Sequence, residues 1–217
     1  MVEAGNSAEH YVEVYDEPLH RVQWSNEYAL VYTVNIPSGV TVQFIPNANN
    51  SPVIWLVQSN CFIAGYVDVS GKTVDWDSSL LGLGGPGGYR GGNGVNGGNA
   101  AGGGQGPGGG SAGNAGNASF GTFGGSGSIY GNAFLVPLIG GSGGGGSSNV
   151  CGPYGSIGQG GGGGGGAILI AASGSITLNG SINANGGGSG YLRCNYSYCC
   201  PGGAGSGGAI RLVASTI

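Results

Sequence analysis

All but four of the 55 glycines in this 217-residue chain follow residue 81; only Gly5, Gly39, Gly65 and Gly71 precede it. A stretch so poor in side chains cannot exclude water with an apolar core, and ordering glycine costs more backbone entropy than ordering any other residue. It is therefore either unfolded or held together by its own backbone. Two arrangements would hold it. One is a bundle of extended left-handed helices of the polyproline-II type, with about three residues per turn and no internal hydrogen bonds, which pack closely because nothing projects from them. The other is a set of long loops laid over a β-sheet face and pinned by Phe120, Phe123, Tyr130 and Phe134. The sequence suits a mixture of the two. A Gly-X-Y repeat is not sustained, which argues against a collagen triple helix.

The rest of the chain reads as β-structure. Residues 9–15 alternate apolar and polar, and residues 28–36 are rich in β-branched and aromatic side chains. Residues 40–45 alternate after a Pro37-Ser38-Gly39 turn, and residues 53–57 (Val-Ile-Trp-Leu-Val) form an unbroken apolar run. Such a run suits a strand covered on both faces. The alternating segment 61–71 recurs at a shift of 115 positions: Cys61, Ile63, Gly65, Val67 and Val69 match Ile176, Leu178, Gly180, Ile182 and Ala184. A further partial copy at a shift of 42 sets residues 208–215 against 166–173. Short strands repeated between glycine or asparagine corners predict stacked coils, hence an all-β parallel β-helix (β-solenoid) with glycine-rich loops and polyglycine-II-like segments. The alternative is an antiparallel β-sandwich. The expected organisation is an N-terminal β arm or cap over 1–33, a first solenoid segment over 34–81, a glycine-rich insert over 82–166 and a second solenoid segment over 167–217.

Charge divides the chain as sharply as glycine does. Every carboxylate (Glu3, Glu9, Glu13, Asp16, Glu17, Glu27, Asp68, Asp75, Asp77) and both histidines (His10, His20) precede residue 78. Beyond it only Arg90, Arg193 and Arg211 carry formal charge. Acid–base catalysis and hydrolytic metal sites need clusters of titratable side chains, so this distribution argues against an enzyme and against a bound metal or cofactor. A polysaccharide lyase or hydrolase is the enzymatic rival, and Asp68, Asp75 and Asp77 with Lys72 and Trp76 are the only local group that could serve it. A solvated turn after Gly71 is the simpler reading of that group. Ala167-Ile168 follows the longest glycine run, where a phosphate-binding loop needs lysine and then serine or threonine. With a net charge of −4 and five scattered basic residues, the chain has no footprint for nucleic acid. Its low charge favours self-association into a homo-oligomer or polymer.

Residues 1–10 contain no apolar core flanked by basic residues, so no signal peptide is expected there: either the signal has been removed or the export signal lies elsewhere. No apolar stretch approaches the length of about 20 residues that spans a bilayer. Five cysteines are an odd number, and Cys194, Cys199 and Cys200 crowd into seven residues. The pattern predicts an oxidising compartment with disulfides among Cys151, Cys194, Cys199 and Cys200; Cys61 is a further possible partner. Zinc is the weaker reading, because no histidine lies nearby. Tyr191, Tyr196 and Tyr198 are candidate contact aromatics, since aromatic faces on a rigid scaffold stack on sugars or proteins. The plainer reading has each tyrosine pin a glycine loop.

Residues 34–47, the 63–71 motif, residues 134–146 and the paired segments 166–173 and 208–214 resemble a widespread class of bacterial glycine-rich secreted or surface proteins. The resemblance implies a β-helical fold, an extracellular or cell-surface location and no established activity. Function is accordingly expected to be structural, as a self-assembling surface or filament subunit, or adhesive, as a module recognising a glycan or other surface partner.

Overall fold

The computed structural model of the chain describes residues 19–23, 28–74, 82–95, 99–148, 158–189 and 201–217. Among them are eleven β-strands and no helix: β1 (Leu19–Gln23), β2 (Ala29–Val31), β3 (Val34–Ile36), β4 (Thr41–Ile45), β5 (Val53–Val57), β6 (Cys61–Ile63), β7 (Tyr66–Asp68), β8 (Ala167–Ala172), β9 (Ile176–Leu178), β10 (Ser181–Asn183) and β11 (Ala209–Val213). They form three sheets, ordered β1-β4-β7-β10, β11-β8-β5-β2 and β3-β6-β9. Each strand pairs with the strand three later in sequence, so the chain visits the three sheets in turn. All of these pairings are parallel, which sets the antiparallel sandwich aside.

The register follows the internal repeats. Cys61 lies beside Ile176 and Ile63 beside Leu178, while Val67 lies beside Ile182, all at the 115-residue shift. Ala209 lies beside Ala167 and Leu212 beside Ile170 at the shift of 42. Register is this well fixed because a slip of one residue would turn the inward side chains outward. Side chains pointing inward stack in columns such as Val34–Cys61–Ile176 and Val53–Ile168–Ile210, giving one continuous core. Phe44 and Trp55 meet edge to face inside it, with centroids 5.4 Å apart, and tie the first sheet to the second.

Corners repeat as well as strands. A Cβ on Gly180 would sit 1.8 Å from the Gly65 carbonyl oxygen, and one on Gly65 would sit 2.2 Å from that of Val40, so both corners require glycine. At another corner the Asn60 side-chain oxygen accepts a bond from the Ser175 N–H (2.9 Å), again across 115 residues. Ser70 Oγ accepts from the Asn185 N–H (3.1 Å) and Thr73 Oγ1 from the Gly188 N–H (3.1 Å) in the same relation.

Between the β1-containing sheet and the β2-containing sheet the chain leaves the coils, once after β7 and again after β10, and there the glycine-rich segments gather. Residues 158–166 run through their middle, and the direction of hydrogen bonding turns by one neighbour per residue. The N–H groups of Gly161 and Gly164 donate to Gly92 and Tyr89, those of Gly162 and Gly165 to Gly203 and Ser206, and those of Gly163 and Gly166 to Lys72 and Val69. The carbonyls of Gly161 and Gly164 accept from Gly82 and Gly85, those of Gly162 and Gly165 from Gly144 and Gly141, and that of Gly163 from Gly187. Partners repeat every third residue, and six neighbouring segments surround the central one. Residues 141–147 are a second such centre, donating from Gly143 and Gly146 to Gln105 and Gly102 and accepting at the same two residues from Gly110 and Gly113. Buried N–H and C=O groups must be paired, and here they are paired without a sheet. Every N–H and C=O of residues 161–166 is so bonded, although the buried Gln159 carboxamide beside them has no partner among the described residues, and the region is not a set of loops resting on a sheet. It also draws on residues 69–72 and 202–208, outside the expected 82–166 insert.

Candidate functional site

The residues singled out from sequence divide into those with a described place and those without one. Cys151, Cys194, Cys199, Cys200, Tyr191, Tyr196 and Tyr198 lie outside the described residues, as do Asp75, Trp76 and Asp77. Cys61 is a free thiol turned into the core, and burial pushes it up to about 12. A thiol so placed stays protonated and serves as a small apolar side chain. Asp68 accepts bonds from Gln43 Nε2 (2.8 Å) and the Ser70 N–H (3.0 Å). Burial acts to raise its carboxyl, but those bonds and the Lys72 charge outweigh it and hold the group below the usual carboxylate range. Held so, Asp68 links two strands and is not poised to deliver a proton near neutral pH. Among the described residues no three His, Cys, Asp or Glu side chains come together to hold a metal.

Four exposed apolar side chains lie along residues 120–138. Phe134 is 80 % exposed and Phe123 65 %, with Ile129 and Val136 also more than half exposed. The segment is shaped rather than loose. Asn132 organises its tip: its side-chain oxygen accepts from the Phe134 N–H (2.9 Å), its Nδ2 donates to the Val136 carbonyl, and its carbonyl accepts from the Leu135 N–H. Asn tolerates this role because its short side chain closes a turn on its own backbone. Leu135 takes a positive φ of 52°, a conformation costly for a branched side chain and kept only where the surroundings impose it.

Below the tip, Tyr130 anchors the segment to the glycine lattice. Its ring stacks edge to face on Phe120 with centroids 4.8 Å apart, and its hydroxyl donates to the Gly140 carbonyl (2.8 Å) while accepting from Ser142 Oγ (2.9 Å). Ser142 is fully buried and accepts in turn from the Gly108 N–H (3.0 Å). Burial raises the Tyr130 phenol above its ordinary range, so it remains a donor. Of the four aromatics expected to pin glycine loops, Phe120 and Tyr130 do so. Phe123 and Phe134 instead face solvent, because the lattice already satisfies its own backbone and needs no apolar anchor there.

A second feature is a cleft of about 300 Å³ where the loop between β4 and β5 meets the lattice. Ile45, Pro46 and Leu83 give it apolar walls, and Tyr89, Arg90 and Gln105 add polar reach. Asn50 fixes its geometry by donating from Nδ2 to the Gly88 carbonyl (2.6 Å) and accepting from the Gly87 N–H (3.2 Å). Sequence reasoning passed over this cleft, although one signal was available: Arg90 is the only charged residue between Asp77 and Arg193.

The third is the outer face of the sheet β11-β8-β5-β2. Its outward positions are Leu30, Ile54, Leu56, Leu169, Ala171, Arg211 and Val213, all apolar but one. A shallow groove of about 270 Å³ runs across it beside Leu30, Leu56, Ala171 and Val213. Sheets open to water on one side ordinarily alternate apolar-in and polar-out, so this face carries the sequence pattern of a covered strand with no cover among the described residues.

No family model, curated protein or solved structure matches this chain.

Proposed function

We propose that this chain is a non-catalytic extracellular adhesin, a β-solenoid of three strands per coil continued by a polyglycine-II bundle that displays an apolar loop to a cell-surface partner. The observation that carries the reading is the loop tip: Phe134 stands 80 % exposed on a turn built by Asn132 and anchored through Tyr130. Exposing large apolar groups costs solubility and gains nothing in folding, whereas rigid aromatic anchors dominate binding energy at interfaces. A scaffold bonded backbone to backbone fixes such a loop with little entropy left to lose on binding. The double substitution Phe134→Ser with Val136→Ser is expected to lower binding of labelled protein to bacterial cells by at least about tenfold, the scale of a lost hot spot. The melting temperature should stay unchanged, since both side chains are already in water. Undiminished binding by the folded variant would remove the loop from the recognition surface.

A second reading, assembly into a larger structure, is supported by the apolar outer face of the β11-β8-β5-β2 sheet. Leu56→Glu with Leu169→Glu would place two charges on that face without entering the core. If the face joins copies of the chain, sedimentation should show an oligomer for the natural protein and a monomer for the variant. A natural protein that is monomeric at high concentration would dismiss it.

A further inference from the structure

We infer that the cleft beside Arg90 binds a carboxylate-bearing sugar of an acidic glycan, a site separate from the loop tip and independent of it. The charge distribution is the starting point. Arg90 stands alone in a long uncharged stretch, and neither its guanidinium nor the Gln105 carboxamide has a hydrogen-bond partner among the described residues. Their backbones are held side by side, because the Gln105 N–H donates to the Arg90 carbonyl (3.0 Å), and both residues border the same cleft. A planar guanidinium left free beside a cleft is suited to a planar carboxylate, which it can hold through two parallel bonds.

The remaining walls narrow the ligand class. One positive charge balances one carboxylate, whereas a phosphate carries about −1.5 to −2 at neutral pH and calls for further cations that the cleft lacks. Pro46, Leu83 and the Tyr89 ring offer flat apolar surface beside that charge, and Gln105 offers both a donor and an acceptor. Sugars have this dual character, an apolar ring face edged by hydroxyls, and aromatic side chains stack on them through that face. The volume, about 300 Å³, lies at the lower end for small-ligand sites and suits a short oligosaccharide segment. The coil-to-lattice junction holds the site open, since Asn50 ties the β4–β5 loop to Gly87 and Gly88 on the opposite side.

Calorimetric titration of the full chain with uronate- and sialate-containing oligosaccharides, each beside its carboxyl-reduced counterpart, tests the assignment. The natural protein should bind at least one acidic oligosaccharide about tenfold or more tightly than its reduced form, the scale of a charge-assisted hydrogen bond. Arg90→Gln should erase that preference, Gln105→Ala should weaken binding of both forms, and neither should shift the melting temperature. Phe134→Ser should leave the titration untouched, which separates failure of this site from failure of the loop. Equal binding of acidic and reduced forms, no binding of any, or an Arg90→Gln protein that keeps its preference would each overturn the assignment.

Discussion

Replacing Gly164 with alanine is expected to destabilise the protein by more than about 3 kcal/mol, above the usual cost of overpacking a core by one methyl group. The reason lies in what the methyl would meet. A Cβ there would stand 2.0 Å from the Gly141 carbonyl oxygen and 2.3 Å from its carbon, and both are backbone atoms of the second lattice centre. A side chain could rotate away, but a backbone segment bonded on several sides cannot. Moving residues 141–147 would stretch their bonds to Gly165, Gly162 and Gln159 on one side and to Gln105 and Gly102 on another. Gly121→Ala is the matched control: nothing lies within 4 Å of its added Cβ, and its φ is not in the left-handed region. There alanine restricts only the unfolded chain and should be neutral or stabilise by up to about 1 kcal/mol. Scanning calorimetry separates the two, since 1 kcal/mol corresponds to about 2–4 °C in a chain of this size. Similar melting temperatures for the two variants would mean that residues 158–166 are not enclosed as described.

That contrast also explains which parts of the fold were legible in the sequence. The 115- and 42-residue shifts led directly to strand register, because a side chain at each alternate position must match the one stacked on it. The unbroken run Val53–Val57 carried its message too: its second apolar face exists, on the outside of the sheet. The lattice left no comparable trace. Its order lies in the hydrogen-bonding direction of successive N–H and C=O groups, and a run such as 160–166 has no side chains to record that direction. Composition could show that a polyglycine-type bundle or pinned loops were needed, but not which segments would be neighbours. The loop tip was misread for a related reason. Phe123 and Phe134 read as anchors because glycine chain ordinarily needs them, whereas a lattice that satisfies its own backbone leaves them in solvent.

Uncharged glycine segments also shape what the surface can offer. Described residues of the lattice carry two charges, Lys72 and Arg90, and few large side chains, so the proposed recognition rests on what the lattice holds out rather than on the lattice itself. The loop at 120–138 and the junction cleft are the two proposed places among the described residues, one apolar and one polar. Both are held by a short Asn side chain bonded to backbone: Asn132 closes a turn on its own segment, and Asn50 ties its loop to Gly87 and Gly88 on a distant one. Each Asn sits where the chain leaves regular bonding, which is where a side chain must replace a missing backbone partner.

Within the coils, the inward and outward positions of a single strand should differ by several kcal/mol. Trp55→Ala is expected to cost about 3–5 kcal/mol, since it removes a large side chain that is 3 % exposed and leaves a cavity between two sheets. The loss includes its edge-to-face contact with Phe44, of a kind worth about 0.5–1.5 kcal/mol, and its stacking on Ile170 in the next coil. Leu56→Ala, one residue along and on the outer face, should cost less than about 1 kcal/mol, because the side chain is only half-withdrawn from water. Denaturant titration followed by far-ultraviolet circular dichroism measures both. The sign of the difference is the test of register: a one-residue slip in β5 would turn Trp55 outward and Leu56 inward, so Leu56→Ala would become the costly change. If instead both substitutions proved costly, the outer face must be covered in solution, which would favour assembly through that sheet.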